Sequence, residues 1–305
     1  MPGAVLHSRT TLRCVLRGAA RFLLPIATLV ACASTASTPN PLVVDPLQYR
    51  DDISVDRLQL QVTNGLTEQL SLAAVQLRWD GFDSNEATID AVIGVGQRVD
   101  LPVDLAAPHC KIDGRTVGAA PSTDDAEVVF TLADGAIRTA DVVDPDGTLD
   151  AIFTATCRSA MVAEQITLEF TDVQQSTLDG RAVSIATLRL ARRAATGAVT
   201  VLSSGNTIPF MLTVPGRAPD APLVSLAADA SVSQAPVQFL EGRCDAHAVA
   251  ESKQSFRFVM QVRLGDDLVV PFVVEPPTSV QLGMLATAAA GCAALGLDGT
   301  LQPDG

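Results

Sequence analysis

The stretches VVFTLADGAIRTADVVDP (residues 128–145) and VMQVRLGDDLVVPFVVEP (residues 259–276) are equal in length and alike in design. Each is a β-branched run broken near its middle by a turn word, Asp134-Gly135 in one and Gly265-Asp266-Asp267 in the other. Each ends in Val-Val, an acid and Pro. Extended runs on both sides of such a turn predict an antiparallel hairpin. Each hairpin is followed by a cysteine, Cys157 or Cys292.

Working outward, further words recur in the same order at a nearly constant offset. SVDRLQL (54–60) matches SIATLRL (184–190), and Val103-Asp104-Leu105 precedes Cys110 as Val237-Gln238-Phe239 precedes Cys244. Thr167-Leu168-Glu169 and Thr300-Leu301-Gln302 follow the second cysteine of each half. Ordered matches at one spacing are the signature of a tandem repeat. Within a repeat the pattern is extended: Leu58, Leu60 and Val62 alternate, as do Val75, Leu77 and Trp79, and Asp-Gly turns separate the runs. The expected fold class is therefore all-β, with two tandem immunoglobulin-like β-sandwich domains at 51–178 and 179–305. A linker is expected near 172–179. Two segments have helical propensity. A short helix is expected over 245–253, whereas the alanine-rich 282–295 is read as strand because the repeat sets it opposite 148–160.

Four cysteines fall in the repeats, and only the pairing Cys110 with Cys157 and Cys244 with Cys292 treats both units alike. Each unit then carries one internal disulfide.

The whole chain has a formal net charge of −13, and all of its acids but only part of its basic residues lie beyond residue 32. Such an acidic body repels nucleic-acid backbones, so no nucleic-acid partner is expected. At the start, Arg9, Arg13, Arg17 and Arg21 precede an apolar run over 22–31, about ten residues where a spanning helix needs about 20. This is an export signal, assigned to residues 1–31. Its end, Leu29-Val30-Ala31-Cys32, resembles the bacterial lipobox, which implies lipidation of Cys32, a membrane partner through the lipid anchor, and a cell-membrane location outside the cytoplasm. The alternative is cleavage after the A-x-A word at 31–33, releasing a secreted protein. Small, polar and proline-bearing residues then make a tether over 32–50.

GRCDAHAVAESK, residues 242–253, resembles a segment of uncharacterised exported lipoproteins of high-GC Gram-positive bacteria. That resemblance implies location and family type, and brings no activity with it. Trp79 precedes both cysteines of its unit, a departure from the true immunoglobulin pattern.

Signals for chemistry are sparse. His109 and His247 lie in different units without a nucleophile elbow, and no phosphate-cradling or dinucleotide motif is present. No catalytic residue, cofactor or metal is assigned. Asp144, Asp146 and Asp150 resemble part of a calcium loop but lack the closing glutamate, and Asp80, Asp83 and Glu86 form a second acidic loop. The reading is a non-enzymatic cell-envelope lipoprotein displaying two β-sandwich domains for binding or protein–protein interaction outside the membrane, with an envelope protein as the candidate partner. The alternative is an extracytoplasmic enzyme or calcium-dependent activity using the carboxylate loops. The candidate binding residues are Trp79, Phe82, Asp83 and Glu86, one loop combining an exposed aromatic anchor with a polar rim; the alternative is that Trp79, which alternates with Leu77 and Val75, is a core residue and the acidic loop is only solvated.

Overall fold

Both quoted stretches form hairpins in the computed structural model, which describes residues 42–297 apart from 219, 246 and 248–251. Strand order around them divides the β-structure into two sandwiches. In the first, β1 (Leu42–Leu47), β2 (Arg57–Asn64) and β5 (Arg98–Asp104) make an antiparallel sheet in the order β1-β2-β5, so the tether expected over 32–50 is corrected at 42–47, where buried Leu42 and Val44 make a core strand. Its partner sheet comprises β3 (Leu70–Arg78), β4 (Glu86–Ile93), β8 (Glu127–Leu132) and β9 (Ile137–Asp141), in the order β4-β3-β8-β9. A short hairpin, β6 (Ile112–Asp113) and β7 (Thr116–Val117), leaves the loop between β5 and β8.

The second sandwich starts with β10 (Ile166–Leu178) and β11 (Arg181–Arg192). These join β13 (Phe210–Thr213) and β15 (Val232–Glu241) in the order β10-β11-β15-β13. The facing sheet has the order β14-β12-β16-β17, from β12 (Val199–Ser204), β14 (Val224–Leu226), β16 (Phe258–Leu264) and β17 (Leu268–Val274). The fold is all-β in class, and the two sandwiches share one strand plan: β10, β11 and β15 stand where β1, β2 and β5 stand, and β12, β16 and β17 where β3, β8 and β9 stand. Inward alternation builds each core. Leu58, Leu60 and Val62 of β2 are fully buried, as are Leu188 and Leu190 of β11.

One helix closes each sandwich. Helix α1 (Thr148–Gln165) follows β9, and α2 (Thr278–Ala294) follows β17. The expectation of strand over 282–295 is corrected, as is its extended counterpart at 148–160. Both segments are helical. Buried Leu149, Ile152, Phe153, Cys157 and Met161 recur every three to four residues, as do Val280, Met284, Thr287, Ala288, Gly291 and Cys292. This is the stripe of a helix lying on a core.

The two cores divide inside α1, where Cys157 belongs to the first and Met161 to the second. Strand β10 is part of the second core, since Phe170 packs edge-on against Phe239 and Phe258 at 5.2 and 5.7 Å. Residues 172–179, expected as a linker, form the far end of the β10–β11 hairpin, with Gln174 opposite Ile185 and Leu178 opposite Arg181. The halves are tied directly. Arg115 of the short hairpin donates from Nη1 to Leu264 O at 2.9 Å, and Gln165 Nε2 donates to Gly114 O at 3.1 Å. The helix expected over 245–253 lies largely outside the described residues, as do Cys32 and the export signal.

Candidate functional site

Trp79 and Phe82 leave β3 in a turn that folds back onto the first core, and both are buried, each 6% exposed. They cluster with Phe153 of α1 at centroid distances of 5.7, 5.9 and 6.1 Å. The indole N–H donates to Ser122 O at 3.0 Å, so the one polar atom of Trp79 is satisfied inside the fold. Of the two readings of Trp79, the structure takes the core one, and no exposed aromatic anchor stands in this loop among the described residues. Trp79 continues the inward alternation of Val75 and Leu77, and burial of its large apolar surface outweighs any role at the surface. Glu86 is exposed at the start of β4.

Asp83 does something the sequence did not announce. Its Oδ1 lies 2.7 Å from His109 Nε2, while His109 Nδ1 lies 2.9 Å from Asp80 O. Both partners are acceptors, so the imidazole satisfies both only when doubly protonated. The Asp83 carboxylate, followed by the Asp80 carbonyl, raises the His109 pKa above its ordinary value. Backbone bonds run alongside, from Asp83 N to Ala107 O and from His109 N to Gly81 O, both at 2.9 Å. The acidic loop is thus stapled to the segment that carries the disulfide cysteine Cys110.

The disulfides are Cys110 with Cys157 and Cys244 with Cys292, at sequence separations of 47 and 48 and Cα distances of 5.4 and 5.5 Å. Each fastens the segment after β5 or β15 to the closing helix. Closing loops this long is worth about 4 kcal/mol apiece on the chain-entropy model.

Asp144 also has a structural post. Its Oδ1 and Oδ2 accept from Thr148 N at 2.7 Å and Leu149 N at 2.9 Å, capping the free amides at the start of α1. Among the described residues, no three His, Cys, Asp or Glu side chains are grouped to hold a metal ion.

A further concavity lies elsewhere, where the turn after β1 meets the segments around β13, β15 and β16. This cavity of about 620 Å³ is lined by Arg50, Arg243, Lys253 and Arg257, with no acid among its described walls. Its geometry is fixed by the backbone. Gly242 N and Arg243 N donate to Pro209 O and Ile208 O at 2.8 and 2.9 Å. A Cβ on Gly242 would stand 2.5 Å from Ile208 O, so this approach requires glycine. Gln254 Nε2 donates to Arg50 O at 2.8 Å, drawing the first sandwich's turn to the rim.

Of the four cations, Arg243 pairs with Asp245 at 3.0 Å and Arg257 Nη1 with Glu275 Oε1 at 2.6 Å. Arg50 and Lys253 have no ion pair among the described residues, and Arg257 Nε is buried without a hydrogen-bond partner among them. Sequence reading missed this site because its four cations are scattered between positions 50 and 257. The only prior signal was local, since Arg243 and Lys253 belong to the 242–253 word.

No family model and no curated protein matches the chain. Among solved structures it is similar to one described as "Biofilm associated protein - BSP domain", at a TM-score of 0.22 and 6% identity. The likeness covers 76% of this chain and 58% of that one, so the chain spans little more than half of that structure, and an overlap this low carries no inference.

Proposed function

We propose that the chain is a non-enzymatic, exported lipoprotein that binds a partner in the cell envelope, anchored through acylated Cys32 and displaying two tandem β-sandwich units beyond a tether. The observation that carries this reading is the pair of disulfides, one per sandwich, each joining the same two places in the shared strand plan. Disulfides form and persist in oxidising compartments, which agrees with an export signal ahead of them. The common strand order also supports descent of the halves from one duplicated unit. Membership among the exported lipoproteins of high-GC Gram-positive bacteria belongs to the same proposal.

Binding is favoured over turnover by how the reactive groups are engaged. His109 is held by two acceptors, the four cysteines are oxidised, and Asp144 caps a helix. The recognition surface is the cationic cleft around Arg243 and Lys253, in place of the loop at 79–86. The test is fractionation and partner recovery in parallel. Cys32→Ala should move the protein from the membrane to the soluble fraction, while the wild type should recover a specific envelope component. Retention of Cys32→Ala by membranes would refute the anchor.

A further inference from the structure

We propose that the cleft lined by Arg50, Arg243, Lys253 and Arg257 is a binding site for a small, hydroxyl-bearing phosphate ester. Four cations share the wall of one cavity in a chain whose net charge is −13. Arg243 and Arg257 are each paired with one acid outside the described wall, Asp245 and Glu275, and the charges of Arg50 and Lys253 leave the cleft with a positive excess that a bound anion would neutralise. Two of the four, Arg50 and Lys253, carry no ion pair among the described residues. Arg257 spends Nη1 on Glu275 and on Ser54 O, leaving its buried Nε unpartnered among the described residues. Guanidinium groups fork onto phosphate oxygens, and an ammonium beside them adds a point charge, so three arginines and a lysine suit a phosphate.

Size and the remaining walls narrow the ligand. About 620 Å³ exceeds what bare phosphate fills and falls within the usual range of small-molecule clefts, about 300–1,000 Å³. Asn206, Thr207 and Gln254 line the same space and offer neutral hydrogen-bonding groups for hydroxyls. The acidic body argues against an extended polyanion, whose remaining charges would meet acidic surface. A single ester stays within the roughly 8 Å over which the four cations act at physiological salt. The site deepens the binding reading and rests on it.

The probes are glycerol 3-phosphate, a soluble monoester, and vesicles of phosphatidylglycerol, which present a glycerol-linked phosphate as a membrane-bound diester. Titration calorimetry of the purified full chain with glycerol 3-phosphate should show saturable binding that weakens as salt rises. The double variant Arg243→Gln/Lys253→Gln replaces exposed side chains and should weaken it at least tenfold without changing the thermal midpoint. The charge-matched control Arg98→Gln/Lys111→Gln, outside the cleft, should leave it within twofold. Absence of saturable binding, equal affinity in the cleft variant, equal loss in the control, or binding to vesicles alone would each overturn the proposal. Any of these would leave envelope-partner recovery, and the broader binding reading, to stand or fall on its own result.

Discussion

His109 Nε2 lies 2.7 Å from Asp83 Oδ1, joining the turn after β3 to the segment that leads into the Cys110 disulfide. The bond is strongest when the imidazole is charged, and Asp83 raises the His109 pKa. A pKa raised by folding stabilises fully below the unfolded value of about 6.5, and that stabilisation is lost as pH rises through the folded value. An NMR titration should therefore place His109 above about 6.5. Thermal midpoints of wild type and His109→Gln should differ most in mildly acidic buffer and converge above the folded pKa. Both partners are about half exposed, which keeps the effect modest.

The aromatic cluster predicts a sharp division within the loop at 79–86. Phe153→Ala or Trp79→Ala empties a well-packed core site and should cost about 3–5 kcal/mol in denaturant unfolding. Glu86→Ala, on an exposed strand end, should stay within about 0.5 kcal/mol. Equal effects at Trp79 and Glu86 would contradict the placement of the indole.

Gly291 faces the buried Glu241 carboxylate across the α2–β15 contact, and a Cβ there would stand 2.7 Å from Glu241 Cδ and Oε2. Oε1 is held by Arg181 at 2.5 Å, so the carboxylate has little freedom to retreat. Gly291→Ala should destabilise by about 1–3 kcal/mol, although alanine favours helices. In a Glu241→Ala background the same change should cost less, and a double-mutant cycle in urea measures that coupling.

The disulfides can be checked without mutation. Non-reducing peptide mapping should find Cys110 linked to Cys157 and Cys244 linked to Cys292. Replacing either pair by alanine should cost about 2–4 kcal/mol. A bridge between the halves would contradict the arrangement.

Asp144→Ala should lower stability by about 0.5–2 kcal/mol through loss of the α1 cap. Calcium or a chelator should not shift the melting temperature, because both Asp144 oxygens are already engaged by amides. A calcium-dependent rise would restore the calcium-loop reading.

By itself the sequence determined the β class, both hairpins and the cysteine pairing. Strand alternation, Asp-Gly turns and equal spacing are local or symmetric signals, carried by the order of residues such as Leu58, Leu60 and Val62. The segments that became α1 and α2 were matched to each other but misread as strands. Their stripes, Leu149 to Met161 and Val280 to Cys292, count as helical only once a core exists for one face to cover. The same dependence hid the position of Trp79. Alternation marked it as inward, yet whether its turn stood clear or folded onto Phe153 depended on a helix distant in sequence. Only the tertiary structure assembled the cationic cleft, because Arg50 and Arg257 line it from segments about 200 residues apart, joined there by the Gln254 to Arg50 hydrogen bond, and no linear motif records that approach.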